Sequence, residues 1–389
     1  MRFLKKKIWF ALFAAIVVIN ILAWNCTAFC DWHIRFIFPV SINTYGRLMS
    51  VFPFSVGEWM IAFGLLLLLE AVLLAAVRIF VRREWLKRVC KGFYTAFAWI
   101  LLAVFWIMTC NCFLLYHASP IDEKYMPEKT ERGYTDKELA LVRDHIVEKL
   151  NELTVEMERD DTGYLVYNDE ITAGAITAMQ ELGKEYDQLS GYYPRAKTIH
   201  SSDFLSQEHM MGYYFPFSME ANYNKRMYIV NKPATICHEL AHLKGFIYED
   251  EANFIGFLAC INSDDIFFQY SGYMSVLNYV ENEFRDSINH KASKYFEHPE
   301  IAKSVYSDDL FLTAEAWEKV EEKAVIQTAT VKKASNQFTE ATLKINGVED
   351  GMKSYSRVVQ LLLEYYDGIL YDSEMDLNGG AVLVEASGE

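Results

Sequence analysis

Cys237-His238-Glu239-Leu240-Ala241-His242, followed by Gly245 and Glu249-Asp250-Glu251-Ala252-Asn253, is the stretch that decides how this chain is interpreted. His238 and His242 are four residues apart, so a helix directs both imidazoles to one side, one turn apart. Two nitrogens so placed can bind one Zn²⁺. Glu239, beside the first of them, can take a proton from zinc-bound water and return it to a leaving amine. The pattern predicts the zinc site of a metallopeptidase-type hydrolase with Glu239 as general base.

Signals on both sides of the motif favour a helix. Pro233 suits its first turn and Gly245 suits its C-terminal end. With nine His in 389 residues, the motif arises by chance in on the order of one or two percent of such chains. Cys237 points about 100° away from His238 on a helix and is expected to be a core residue rather than a fourth ligand. The alternative is a buried helix with two structural histidines.

The third metal ligand is expected in the acidic cluster that follows Gly245. The metzincin pattern places a His three residues after such a glycine, but Tyr248 occupies that position here. Residues 249–253 instead resemble the Glu-x-x-Ala-Asp/Asn signature of gluzincins, in which the first Glu is a ligand and the Ala packs against the motif helix. The resemblance implies Glu249 as third ligand, with Glu251 in reserve. An ordinary acidic surface cluster is the alternative.

Two further functional features are less specific. A Tyr often stabilises the oxyanion in zinc hydrolases, and Tyr270, Tyr273 and Tyr355 are candidates among 24 tyrosines. A strand that precedes the motif helix commonly pairs with an extended peptide in such enzymes. Residues 220–224 or 225–230 could take that role, or could form an ordinary sheet strand.

Three apolar runs precede the motif, at residues 8–24, 59–77 and 93–116. Each can span ~30 Å of hydrocarbon at about 1.5 Å per residue. No small-residue cleavage site follows the first run, so we expect an uncleaved anchor. Lys and Arg cluster before the first run and between the second and third. The positive-inside rule therefore predicts a cytoplasmic N-terminus and an extracytoplasmic chain from about residue 117, with 25–58 as a short outer loop in the membrane interface.

Glu70 interrupts the second apolar run. A carboxyl near the centre of a bilayer costs a few kcal/mol unless it is partnered or protonated. We expect a neutral Glu hydrogen-bonded to a neighbouring helix. Contact with a membrane partner protein, or a role in sensing, is the alternative.

Charge divides the chain in two. The first 116 residues hold 12 Lys/Arg and four Asp/Glu, whereas the rest holds 25 and 48. The acidic part argues against a nucleic-acid partner and predicts a solvated surface. Of seven cysteines, only Cys237 and Cys260 lie outside the membrane region, so neither a disulfide framework nor a cysteine zinc site is expected.

The chain is predicted to consist of a three-helix anchor (1–116), a linker (117–134), a soluble domain (135–372) and a disordered tail (373–389). A capping box of Thr135 and Glu138 begins the domain. Hydrophobic spacing and turn residues predict its other elements. These are helices over 168–185, 249–260, 264–286, 313–331 and 354–366, and strands over 210–217 and 225–230. A mainly α, α+β zincin-like domain with a small sheet is expected.

Several short motifs together resemble one known family. They are Gly212–Phe217, Glu220–Asn222, Cys237–His242, Glu249–Phe254, Tyr270–Tyr273, Leu343-Lys344 and Ser354-Tyr355. This set resembles the bacterial membrane family known as domain of unknown function 3810, which shares the three-span anchor. The resemblance covers nearly the whole chain. It implies a gluzincin-like zinc peptidase with one Zn²⁺ and names no substrate.

The expected function is that of a zinc-dependent peptidase at the outer face of the cytoplasmic membrane, with peptides or proteins as substrates and the lipid bilayer as its other partner. Two alternatives stay open. One is a zincin-fold membrane sensor that signals through a partner protein, although only the N-terminus and the 78–92 loop face the cytoplasm. The other is an inactive scaffold.

Overall fold

The computed structural model describes residues 2–129, 132–345 and 355–371. Helices account for 68% of the chain and a three-stranded sheet is present, which confirms a mainly α fold with a small sheet. The predicted tail at 373–389 lies outside the described residues. The helices are α1 (Arg2–Asn25), α2 (Thr27–Phe36), α3 (Phe38–Ser41), α4 (Arg47–Ser50), α5 (Val56–Phe80), α6 (Glu84–Met108), α7 (Ile121–Tyr125), α8 (Asp136–Leu153), α9 (Ile171–Leu182), α10 (Ser202–Glu208), α11 (Asn231–His242), α12 (Glu249–Ile261), α13 (Ile266–Ser287), α14 (Ala292–Tyr295), α15 (Lys303–Asp308), α16 (Ala314–Glu322), α17 (Thr328–Ile345) and α18 (Tyr355–Tyr366).

Three helices are long and apolar enough to cross a membrane, as the sequence predicts: Lys5–Asn25, Val56–Phe80 and Glu84–His117. The third is α6 extended by a π-helical turn at Thr109–Phe113 and a 3₁₀ turn at Leu115–His117. The apolar side chains of α5 are largely exposed, as expected for a surface that meets lipid. Glu70 is also exposed on α5. Among the described residues no group hydrogen-bonds its carboxyl, so the expected partner on a neighbouring helix is not found.

The segment between the first two spans forms α2, α3 and α4 rather than an irregular loop. Ile34, Phe38 and Ile42 are buried in the same hydrophobic core as the motif helix α11. The segment is thus helical and partly packed against the C-terminal part of the chain, while Trp32 and Phe36 stay exposed; its location in the membrane interface stays a prediction.

Residues 117–134, for which a linker is expected, connect the third span to α8 and are partly packed. Ile121, at the start of α7, is fully buried. Its backbone N–H donates to Glu251 Oε1 at 2.9 Å. Leu115, at the end of the third span, belongs to the same core, so the core crosses the boundary expected at residue 116.

The sheet has the order β1 (Lys197–Thr198), β3 (Glu220–Tyr223), β2 (Gly212–Phe215). β3 pairs with β1 in parallel and with β2 antiparallel. The predicted strand at 210–217 is thus confirmed in its centre. The one at 225–230 is wrong, because these residues form turns that lead into α11.

The other predicted helices are found with shifted ends. The capping box of Thr135 and Glu138 is present at α8, and α12, α13 and α18 lie within two residues of their predicted bounds. α9 begins after Glu170 rather than Asn168. The helix predicted over 313–331 is two helices, α16 and α17, separated at 323–327.

α11 lies at the centre of the C-terminal part and packs against α9, α12, α13 and β3. Its contact with α12 is close because of Gly256. A Cβ there would lie 2.8 Å from the carbonyl oxygen of Ala234, well inside van der Waals distance. This close approach brings the first turn of α12 to the motif histidines.

Candidate metal centre

The motif helix α11 ends where the sequence predicts. Gly245 has φ of +92°, a left-handed conformation that glycine adopts without strain. The N–H of Phe246 bonds to the carbonyl of Ala241 across this turn. The chain then reverses and starts α12 at Glu249, seven residues after His242.

His238, His242 and Glu249 come together as a group that could hold a metal ion, with one ligand atom from each within 4.8 Å of the others. The Nε2 atoms of the two histidines are 3.1 Å apart. Glu249 Oε2 lies 3.1 Å from His238 Nε2, and Glu249 Oε1 lies 3.9 Å from His242 Nε2. Ligands of a tetrahedral ion with bonds of about 2.0–2.1 Å are about 3.3 Å apart, so the three side chains need only small adjustments to bind one.

The hydrogen bonds of the two rings direct both Nε2 atoms at the same point. Nδ1 of His238 donates to Asn253 Oδ1 at 2.8 Å, and Nδ1 of His242 donates to the Phe246 carbonyl at 2.7 Å. Each Nε2 is thereby left as an acceptor. Two acceptor nitrogens and a carboxylate converge, so the group could hold a cation, and its donor atoms are of the kinds that zinc binds.

Burial and the neighbouring charges shift the pKa values of all three side chains. Burial lowers the pKa of His238, but the hydrogen bond and charge of Glu249 outweigh it and raise that pKa to about 9. Burial and the neighbouring His238 lower the pKa of His242 to about 4. The two histidines lower the pKa of Glu249, whose side chain is more than half exposed, to about 2.

Glu239 lies beside the group, with its carboxylate against β2. It is buried, and its Oε2 has no hydrogen-bond partner among the described residues. Burial raises the pKa of Glu239 to about 8. The carboxylate fits there because residue 212 is a glycine, whose Cβ position is 2.6 Å from Glu239 Oε1. A buried carboxyl with one unpaired oxygen is available to accept a proton.

The reserve ligand Glu251 is placed elsewhere. Its carboxylate accepts the N–H of Ile121 and contacts Arg357 Nη2 at 3.4 Å. Asp250 and Asp122 face the same guanidinium. Among the described residues, Glu249 is therefore the one member of the acidic trio whose carboxylate contacts His238 and His242.

Two of the three tyrosines predicted as oxyanion stabilisers, Tyr270 and Tyr273, are not brought to the metal group. Tyr270 is fully buried and donates to Asp308 Oδ2 at 2.7 Å. Tyr273 packs against Phe257. Neither lines the cavity at the metal group, and the side chain of Tyr355 lies outside the described residues. Cys237 and Cys260 are both buried and free, as expected of core residues.

A cavity of about 940 Å³ opens over His238, Glu239, His242 and Glu249. Strand β2 forms one wall through Gly212, Tyr213 and Tyr214. The end of the third span forms another through Met108, Cys112 and Tyr116. The Tyr214 ring lies 6.0 Å from that of His242, so the sheet edge directly flanks the metal group.

The strand suggested for peptide binding at 220–224 does not have a free edge, because β3 is paired on both sides. The available edge belongs to β2, which has no second partner among the described residues. Two further contributions were missed from sequence: Asn253 as the partner of His238, and Gly212 beside Glu239. Asn253 could have been found as the last residue of the Glu-x-x-Ala-Asn signature, whereas Gly212 carries no local signal for its role.

The fold and this group define a membrane protein with a candidate metal centre built against its spans. Residues 33–363 match the family described as Protein of unknown function (DUF3810), a stretch that includes α5, α6 and all the residues of the group. The chain therefore belongs to that family, as its motifs predict. No curated protein and no solved structure matches the chain.

Proposed function

We propose that the chain is a membrane-anchored, zinc-dependent metallopeptidase of gluzincin type that cleaves peptide bonds at the outer face of the cytoplasmic membrane. The observation that carries the proposal is the arrangement of one buried, half-unpaired carboxylate, Glu239, beside three convergent ligands, His238, His242 and Glu249. If His238 and His242 had only a structural role, there would be no reason for both acceptor nitrogens to face the carboxylate of Glu249.

Each residue of the group has a distinct role in this proposal. His238, His242 and Glu249 hold the ion, and Asn253 and Phe246 fix the orientation of the two rings. A bound zinc ion would supply Lewis acidity, which polarises a carbonyl and makes water more acidic. Glu239 accepts a proton at Oε2 and delivers it to the leaving amine. Its buried position favours the uptake of that proton, since burial raises the pKa of the carboxyl.

The free edge of β2 provides a place for an extended substrate. A peptide paired with Gly212–Phe215 would run through the cavity past Glu239, because Gly212 is in contact range of that carboxylate. Backbone pairing supplies affinity with little sequence selectivity. The orientation of the spans is inferred from the basic residues at 78–91, which the positive-inside rule places in the cytoplasm.

The test joins metal analysis to peptide cleavage, with the full chain in detergent or liposomes. We expect about one zinc per chain and cleavage of a randomised peptide library. Glu239→Gln should keep the metal and lose cleavage by a factor of at least ~10³, while Glu249→Gln should lose both. Glu181→Gln, an exposed surface change, is the matched control and should behave as the wild type.

Three results would refute the proposal. A metal-free wild-type chain prepared with zinc present would point to the scaffold alternative. Cleavage by Glu239→Gln at the wild-type rate would remove Glu239 from the reaction. A zinc-loaded chain that cleaves no member of the library would favour the sensor alternative.

A further inference from the structure

Hydrogen bonds between the spans fix the depth of each span relative to the others. Asn20 Nδ2 of α1 donates to Thr109 Oγ1 at 2.9 Å, which places these residues at one level. The hydroxyl of Tyr94 on α6 donates to the carbonyl of Ala71 on α5 at 2.7 Å. α5 and α6 run in opposite directions. A residue of α5 and a residue of α6 are therefore at the same depth when they lie the same number of positions from Ala71 and Tyr94, respectively, on the side towards the domain.

This register locates the membrane boundary. Trp59 and Trp106 are each twelve residues from the Ala71–Tyr94 contact on the domain side, so they share a level. Trp residues mark membrane–water interfaces. Lys87 lies nineteen residues before Trp106, or about 28 Å along a helix, close to the ~30 Å thickness of the hydrocarbon. Through the Asn20–Thr109 contact, Trp24 of α1 is level with Phe113. The outer boundary of the hydrocarbon therefore lies between the levels of Trp106 and Phe113.

The cavity over the metal group reaches down to this boundary. Met108, in its wall, is only two residues beyond Trp106. Tyr116 is eight residues further along the same span, or about 12 Å at helical rise. The hydroxyl of Tyr248 donates to the carbonyl of Tyr116 at 2.6 Å, and Glu249 is the next residue. The metal group thus lies about 5–15 Å above the hydrocarbon, at the level of the lipid headgroups or just outside them.

The domain is held at this height by buried and charged contacts with the spans. Glu220 of β3 accepts the N–H groups of Val56 and Gly57, at 3.1 and 2.7 Å, at the start of α5. Glu58 of α5 in turn accepts the N–H groups of His200 and Ser201, at 2.7 and 2.9 Å. Both sets lie at the level of Trp59. A cavity fixed in this way is continuous with the membrane surface rather than exposed on the far side of the domain.

We propose that the substrate is a peptide held in the bilayer by a hydrophobic anchor, with its scissile bond about two to five residues from the point where the anchor leaves the hydrocarbon. The distance follows from the height of the metal group, since an extended chain covers ~3.3 Å per residue. The anchor is a transmembrane helix or an acyl chain, which share the property of holding the peptide at the boundary. This inference rests on the proposed peptidase function.

The chemistry of the cavity wall suits such a substrate. The cavity wall includes Met108, Cys112, Met210 and Met211, whose soft apolar side chains accommodate varied hydrophobic neighbours. Confinement to the membrane also raises the effective concentration of an anchored peptide at the cavity. A free peptide would gain neither advantage.

The experiment uses the full chain in liposomes with one randomised twelve-residue segment presented in three ways: next to a transmembrane helix, next to a palmitoyl chain, and free in solution. Products are mapped by mass spectrometry. We expect cleavage about two to five residues from the anchor, at least ~10-fold faster than in the free segment. Whichever anchored form is cleaved identifies the anchor. In a further experiment, the presented segment carries a photoreactive residue three positions from its anchor. This residue should cross-link to residues 108–116 of the Glu239→Gln variant.

The outcomes separate this inference from the function on which it rests. Equal cleavage of free and anchored segments, at positions unrelated to the anchor, would overturn the inference and keep the peptidase. No cleavage of any form by the zinc-loaded chain would overturn the function and the inference with it. Met108→Gln should slow cleavage of the anchored segments several-fold. Met60→Gln, the same change on an exposed face of α5 at similar depth, should not.

Discussion

Gly212→Ala tests whether strand β2 positions the carboxylate of Glu239. The new Cβ would lie 2.6 Å from Glu239 Oε1 and 2.6 Å from the carbonyl oxygen of Asn222. Ordinary contacts of this kind begin at about 3.4 Å, so the shortfall is about 0.8 Å on each side. Asn222 belongs to β3, which is paired on both edges, and its backbone cannot yield easily. The carboxylate of Glu239 must therefore move.

A displacement of about 1 Å at a reacting group can cost ~10²-fold in rate. We expect Gly212→Ala to lower kcat/KM for peptide cleavage by about 10- to 100-fold. Zinc content should stay at the wild-type value, because the three ligands lie on other elements. The strain of overpacking should also reduce the free energy of unfolding by about 1–3 kcal/mol, which thermal unfolding in detergent would measure.

Gly133→Ala is the matched control, since a Cβ at Gly133 meets nothing within 4 Å. It should leave cleavage, zinc content and thermal unfolding unchanged. Wild-type kcat/KM in Gly212→Ala would show that β2 does not constrain Glu239. Loss of zinc in that variant would show that the strand acts through the ligands instead, and would equally refute the reasoning.

Three further changes test other parts of the structure. Asn253→Ala removes the acceptor for His238 Nδ1 and should weaken zinc affinity by about 10- to 100-fold, as measured by competition with a chelator; unchanged affinity would contradict the role of Asn253. Glu220→Ala leaves Lys197 buried without its partner and should destabilise the chain by about 3–5 kcal/mol in thermal unfolding; a wild-type midpoint would argue against the contact with α5. Removal of zinc by a chelator should lower the unfolding temperature of the wild type, because a ligand at 1,000 times its Kd stabilises by about 4 kcal/mol. Glu249→Gln should show no such shift, and a shift of wild-type size would exclude Glu249 as a ligand.

The metal group could be predicted from sequence because its parts are close in the chain. The spacing of His238 and His242 depends only on helix geometry, and the turn at Gly245 depends only on local backbone freedom. Glu249 follows within one short turn of that glycine. The choice against Glu251 was settled by distant residues, since Ile121 and Arg357 hold that carboxylate elsewhere.

The features that were not predicted depend on contacts between distant parts of the chain. α2–α4 have apolar side chains that would suit a membrane interface equally well, and only the core around α11 decides which of them are buried. The turns at 225–230 replace a strand because Tyr228 bonds to the carbonyl of Phe311, far away in sequence. The role of β2 likewise depends on sheet order, which hydrophobic alternation does not specify.

These contacts make the spans part of the site rather than a tether for it. Phe215, at the end of β2, packs on Gly57 of α5, where a Cβ would lie 2.7 Å from its ring. The opposite end of the same four-residue strand carries Gly212 against Glu239. A fragment that begins at residue 117 would lose the core residues of α2–α4, and it would leave Glu220 without the two N–H donors of α5. Because an uncompensated buried charge is costly, such a fragment should shift β3 and, through strand pairing, β2. Loss of activity in the fragment would then report a displaced Glu239 and not the absence of a metal centre, so the full chain is the appropriate form for every test of the site.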